Sequence, residues 1–309
     1  MHTTTYDRSR PSPTPARPGG NAVARFVRRR PLTAFLMWFF TVGQALVFTP
    51  IVAHGYGVEL PPQVFVVAST LVGLLLPAVV ITRIVDGPAA MRALWRRAAD
   101  VWVGARWYAL ALAATPALAT GLALAFFGAP TASLTTGALV SALMAGLLVQ
   151  TLVALVPNNW AEEVGWMGFV QARLQARTTP MRAAALTAPL FALQHVALVV
   201  GSPLPMAVAL MGFLIVVNIP IRALMGFAYN RTGSLFVVGL LHAAGNGVAA
   251  GSGFSAGFPA RLYPDQPFVS LLHLLALAVI GLVAIAVSRA RLGVSRSRPA
   301  TVPTPASAA

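Results

Sequence analysis

The chain has no cysteine and no lysine, and only seven Asp or Glu among its 309 residues. Without cysteine there is no disulfide, no thiolate nucleophile and no thiolate-bound metal. Without lysine, all 22 basic residues are arginine. Charged residues make up 9% against 57% hydrophobic, and the mean hydropathy is +0.76, well beyond what the core of a water-soluble globule of this length requires. Also missing are GxSxG, HExxH and phosphate-loop patterns, and any internal repeat of the kind on which many transporters are built. The net charge of +15 does not point to nucleic acid, because such binders carry their basic residues as a patch on a soluble domain, and none is present.

What is present is a series of long apolar runs. Windows of about 20 residues, enough to cross ~30 Å of hydrocarbon, predict an all-α, polytopic membrane helical bundle of about eight transmembrane helices. They lie near residues 32–53, 63–82, 107–127, 138–157, 183–200, 205–221, 235–250 and 269–288. The flanks, 1–31 and 292–309, are rich in Thr, Pro, Arg or Ser and read as disordered cytoplasmic tails, leaving 32–291 as the transmembrane domain. Arg28-Arg29-Arg30 follows a long polar tail and no clean cleavage site comes after it, so the first run reads as a retained span and not a signal peptide.

With the N-terminus inside, every arginine but Arg261 falls on one side, including Arg222 and Arg231 in a turn at 222–231. The positive-inside rule then places both termini of a cell-membrane protein in the cytoplasm. The 83–106 loop, with Arg92, Arg96 and Arg97 beside Leu94, Trp95 and Trp102, reads as an amphipathic helix on the anionic leaflet.

Two of the few acids, Glu162 and Glu163, stand side by side within an apolar region. An ionisable group held in hydrocarbon costs roughly 2.5–3.5 kcal/mol even on insertion scales, so a pair is a site hypothesis by default. Pro157 breaks the preceding helix, and Asn159 is expected as the N-cap of a new one, with Glu162 at the third position reaching back to it. That accounts for one glutamate only. Downstream, Phe191 and His195 are four residues apart, as are His242 and Asn246, so each pair shares a helical face. Singly, each motif reads as packing or interhelical hydrogen bonding. Together, a glutamate, two histidines and an asparagine are the groups needed to hydrolyse an acyl bond: a general base, a proton carrier and oxyanion donors.

Glu162-Glu163, Phe191-x-x-x-His195 and His242-x-x-x-Asn246, with Asn230-Arg231-Thr232-Gly233-Ser234-Leu235 before the last helix, resemble the CAAX prenyl protease and bacteriocin-processing family of intramembrane endopeptidases. The resemblance covers 158–247. It implies that Glu162 with His195 activates a water, that His242 with Asn246 holds the oxyanion, and that Glu163 supports Glu162, with Phe191 and Trp166 around them. It also implies the lipid bilayer and a membrane-associated protein or peptide substrate as partners. One departure stands out: the family's first motif has an arginine where this chain has Met167, which leaves the two carboxylates without their usual cation.

Two histidines and a glutamate are also a zinc ligand set. Drawn from three helices with no HExxH, they are expected to work without metal or other cofactor, zinc being the minority alternative. The rival functions are a catalytically degenerate immunity or scaffold protein of the same fold, which Met167 favours, and a proton-coupled transporter using the same residues as a relay. At about 1.5 Å per residue, His242 and His195 are expected about 10 and 18 Å from the cytoplasmic ends of their helices, so the site is expected to open toward the cytoplasmic half of the bilayer.

Overall fold

The structure, a computed structural model, describes residues 22–132, 135–249, 257–266 and 268–294. Every regular element among them is a helix, as expected where no water is available to satisfy a bare backbone. We number them α1 Ala22–Arg29, α2 Pro31–Gly55, α3 Pro62–Val85, α4 Gly87–Ala98, α5 Ala105–Phe127, α6 Thr136–Gln175, α7 Pro180–Leu193, α8 Leu204–Thr232, α9 Leu235–Val248, α10 Phe258–Leu262 and α11 Val269–Val287.

Six of these helices (α2, α3, α5, α6, α8 and α11) are long and apolar enough to cross a membrane. The protein is therefore a multi-pass helical bundle, with six full spans among the described residues in place of the eight expected. The shortfall lies in α7 and α9, each 14 residues, or about 21 Å of rise. Hydropathy merges α7 with Val196–Val199, but the chain leaves α-helical geometry at His195 and continues as a short 3-10 turn. The expected tails also shift. Ala22–Arg29 is helical and Leu292 is fully buried, while 1–21 and 295–309 lie outside the described residues. The 83–106 segment does contain the expected amphipathic helix, α4, with Leu94 and Ala98 buried and Arg96 and Arg97 in its last turn.

The helix ends follow local chemistry. Thr135, Thr179 and Ser234 each accept the backbone N–H three residues on, at 3.1, 3.2 and 3.1 Å, capping α6, α7 and α9. Gly233, at φ 73°, closes α8 in the left-handed conformation, and its N–H donates to Tyr229 O at 2.7 Å. Thr232-Gly233-Ser234 thus turns α8 directly into α9.

Helix α6 has one departure from helical geometry, at Val156 (φ −119°, ψ 124°), and Val164–Gln171 winds in wide π turns. Against this segment packs α9: a Cβ on Gly239 would lie 2.8 Å from Trp160 Cα, so the absence of a side chain there sets how closely α9 approaches α6. Helix α8 lies between α7 and α11. The main core, around Trp166, Met167, Phe169, Leu224 and Leu241 with Phe35, Phe39 and Leu74, surrounds the glutamate pair.

Candidate active site

The two glutamates point to different partners, as adjacent residues on a helix must. Glu162, 3% exposed, accepts from Asn159 Nδ2 at 3.2 Å and from Gln194 Nε2. Glu163, fully buried, faces α8 and α9: Arg222 Nη1 reaches its two oxygens at 2.8 and 3.0 Å, and His242 Nδ1 lies 3.0 Å from Oε1.

Asn159 is not the expected N-cap. Its backbone is already helical and its side chain caps nothing; the chain breaks three residues earlier, at Val156. Its amide instead bridges two site residues, donating to Glu162 and accepting from Asn246 Nδ2 at 3.1 Å.

The charge balance also differs from that read in the sequence. Met167 is fully buried in the core, but the pair does not lack a cation. Arg222, counted above as part of a cytoplasmic turn, lies inside α8 with no exposure. Besides holding Glu163, its Nε donates to Gln171 Oε1 at 3.0 Å, Gln171 Nε2 returns a bond to Arg222 O at 3.0 Å, and its guanidinium lies 5.2 Å from the Phe191 ring centroid. A buried ion costs several kcal/mol unless matched by a counter-ion and hydrogen bonds, and here both charges have them.

Both histidines have one ring nitrogen engaged. His195 sits at the end of α7, its Nδ1 3.1 Å from Phe191 O. That acceptor requires Nδ1–H, so in the neutral ring Nε2 carries the lone pair and can take a proton. His242 Nδ1 donates to Glu163; if its Nε2 is also to donate, the ring must be the imidazolium, the form that a carboxylate at Nδ1 supports. Phe191 lies between the two imidazoles, its centroid 5.3 Å from His195 and 5.7 Å from His242. Trp166 packs edge-on against Phe191 at 5.9 Å, and its Nε1 donates to Gln194 Oε1. No hydrogen bond joins Glu162 to His195; Gln194, the residue before His195, makes the connection to Glu162.

A cavity of about 30 Å³, lined by Glu163, Asn218, Arg222, His242, Asn246 and His273 among others, adjoins this network. It has room for one or two waters. Arg222 Nη2, buried and without a hydrogen-bond partner among the described residues, is a group such waters would satisfy. Sequence reasoning missed Arg222, Gln171, Gln194 and His273. Gln194 could have been found from its place beside His195, and Arg222 from the apolar run that continues to Tyr229. His273 carried no local signal. Among the described residues, no three of His, Asp and Glu are grouped so as to hold a metal ion.

Glu162 and Glu163 from α6, His195 from the end of α7, and His242 and Asn246 from α9 therefore meet at one buried place. Chemically, this arrangement offers an anchored carboxylate, an imidazole with a free lone pair and a set of donors beside a small polar cavity. No match to a characterised protein is found for the chain. A family model described as type II CAAX prenyl endopeptidase Rce1-like does match residues 144–248, a segment that holds both glutamates, both histidines, Asn246 and Arg222. Over that segment, about a third of the chain, the protein is similar to the type II CAAX prenyl endopeptidases, a family of membrane proteases.

Proposed function

We propose that the protein is an intramembrane endopeptidase that hydrolyses a peptide bond of a membrane-associated protein or peptide with a water activated by Glu162 and His195. The observation that carries this reading is the bridge through Asn159, which ties Glu162 on one side to Asn246 on the other. A base and an oxyanion donor held in fixed relation are what acyl hydrolysis requires.

In this mechanism a water between Glu162 and His195 loses its proton to them and attacks the scissile carbonyl. The oxygen of that carbonyl becomes negative and is held by His242 and Asn246. The proton then passes to the leaving amine as the C–N bond breaks, and both carboxylates end as they began. Glu163 supports the site through His242. No metal or other cofactor enters the scheme. The bundle lies in the cell membrane with both termini in the cytoplasm, and the site opens to the inner half of the bilayer, where a juxtamembrane peptide is within reach.

The test is cleavage of membrane-associated peptides by purified protein in proteoliposomes. Glu162→Gln and His195→Ala should each abolish it while eluting as folded protein. Cleavage at the wild-type rate by either variant would end the glutamate–histidine mechanism.

A further inference from the structure

Taking the site to be that of an endopeptidase, we propose that Arg222 is a positioning residue of the reaction, supplying from α8 the cation that the glutamate-pair motif lacks at position 167. Glu163, Met167 and Gln171 are spaced four apart on α6, so they follow one another along one side of that helix. Arg222 engages the first and the last of them, with Nη1 on both oxygens of Glu163 and Nε on Gln171 Oε1. Met167, midway between, is fully buried and apolar. The planar fork of guanidinium donors makes this double engagement feasible from a neighbouring helix, where a point-like ammonium would reach one partner.

The placement has a chemical result. Glu163 Oε1 is shared between Arg222 Nη1 at 2.8 Å and His242 Nδ1 at 3.0 Å. The guanidinium therefore offsets the carboxylate's charge and fixes the oxygen that orients the imidazole. Gln171 closes the clamp by returning its amide to the Arg222 carbonyl, which leaves the arginine little freedom to swing away. In this arrangement Arg222 touches no substrate. It acts by holding Glu163, and Glu163 by holding His242.

Relocating the charge tests this. Peptide cleavage in proteoliposomes is compared for wild type, Arg222→Met, Arg222→Lys and the double variant Met167→Arg/Arg222→Met, each checked for a monodisperse elution profile. Arg222→Met should lower kcat by ~10²–10³-fold, the size of effect seen when one transition-state donor is lost, with KM within ~2-fold. Arg222→Lys should fall between it and wild type, and the double variant should regain at least ~10-fold over Arg222→Met. Arg222→Met at the wild-type kcat, or a folded double variant no faster than Arg222→Met, would overturn the proposal. Should Arg222→Met not be recovered as folded protein, a folded and active double variant supports the relocation, and a double variant that also fails to fold overturns it. If wild type cleaves nothing, the endopeptidase reading fails on its own. The clamp is then decided by heat denaturation, in which the double variant must recover stability that Arg222→Met loses.

Discussion

Asn246 donates its side-chain amide to Asn159 Oδ1 at 3.1 Å, and Asn159 donates in turn to Glu162 Oε2 at 3.2 Å. Only one orientation of the Asn159 amide makes both bonds, with its oxygen toward α9 and its nitrogen toward the carboxylate. Asn159→Asp keeps an acceptor for Asn246 but loses the donor to Glu162 and sets a second anion beside it. We expect kcat to fall by ~10²-fold or more for Asn159→Asp and less for Asn159→Ala, since the alanine adds no charge. Equal rates for the two variants would show that the charge beside Glu162 is immaterial.

Asn246→Ala probes the other end of the bridge. If the amide is one of the oxyanion donors, its loss raises the barrier by about 2.7–4 kcal/mol, read as kcat. A change confined to KM would assign Asn246 to substrate binding instead.

Two ion pairs of this protein should differ sharply in their worth. Arg222–Glu163 is at most 1% exposed, whereas Arg173–Asp86 has side chains 20% and 36% exposed. Glu163→Ala leaves a buried guanidinium unmatched and should cost ~3–5 kcal/mol of stability. Asp86→Ala should cost under ~1 kcal/mol. Denaturation in detergent, followed by circular dichroism, separates the two; similar losses would mean that burial does not govern these pairs.

Gly239 should not tolerate a methyl group. The nearest neighbour of an added Cβ is the Trp160 backbone at 2.8 Å, which cannot turn aside as a side-chain tip could, so Gly239→Ala should destabilise by ~1–3 kcal/mol. Gly212, where a Cβ meets nothing within 4 Å, is the control, and alanine there should be neutral or mildly stabilising. Equal melting temperatures for the two would remove Gly239 from the α6–α9 contact.

The absence of cysteine makes the chain its own background for topology mapping. Trp102 and Tyr56 are 90% and 83% exposed and lie at opposite ends of the bundle in the orientation proposed here. A membrane-impermeant thiol reagent added to intact cells should label Tyr56→Cys and leave Trp102→Cys unlabelled until the cells are opened. The reverse pattern would invert the orientation.

Much of the bundle was legible because apolar runs are nearly a direct readout of helices in lipid. The ends were less so, since hydropathy records composition and not direction. It joined Val196–Val199 to α7 although the chain turns at His195, and it stopped α8 at the first charge, Arg222, although the helix runs on to Thr232 and ends only at Gly233. That second error moved a site residue into a loop. Of the quartet proposed here, spacing alone put His242 and Asn246 on one helical face; grouping Glu162 and His195 with them rested on the resemblance to a family, since residues on separate helices share no spacing rule. Arg222 and Gln171 were not legible, because the bonds of Arg222 to Glu163 and of the two to each other arise where helices cross. Asn159 was read only as an N-cap; its side chain instead bonds those of Glu162 and Asn246, a pairing that no local signal carries.

The cation missing at Met167 in the one-dimensional string is, in the reading proposed above, supplied in space by Arg222, which lies 55 positions further on and pairs with Glu163. A sequence query that demands an arginine four residues after the second glutamate would discard this chain as degenerate. A query written for the glutamate pair together with a buried arginine in the helix preceding His-x-x-x-Asn would retain it, and would separate related proteins that have moved the charge from those that have lost it.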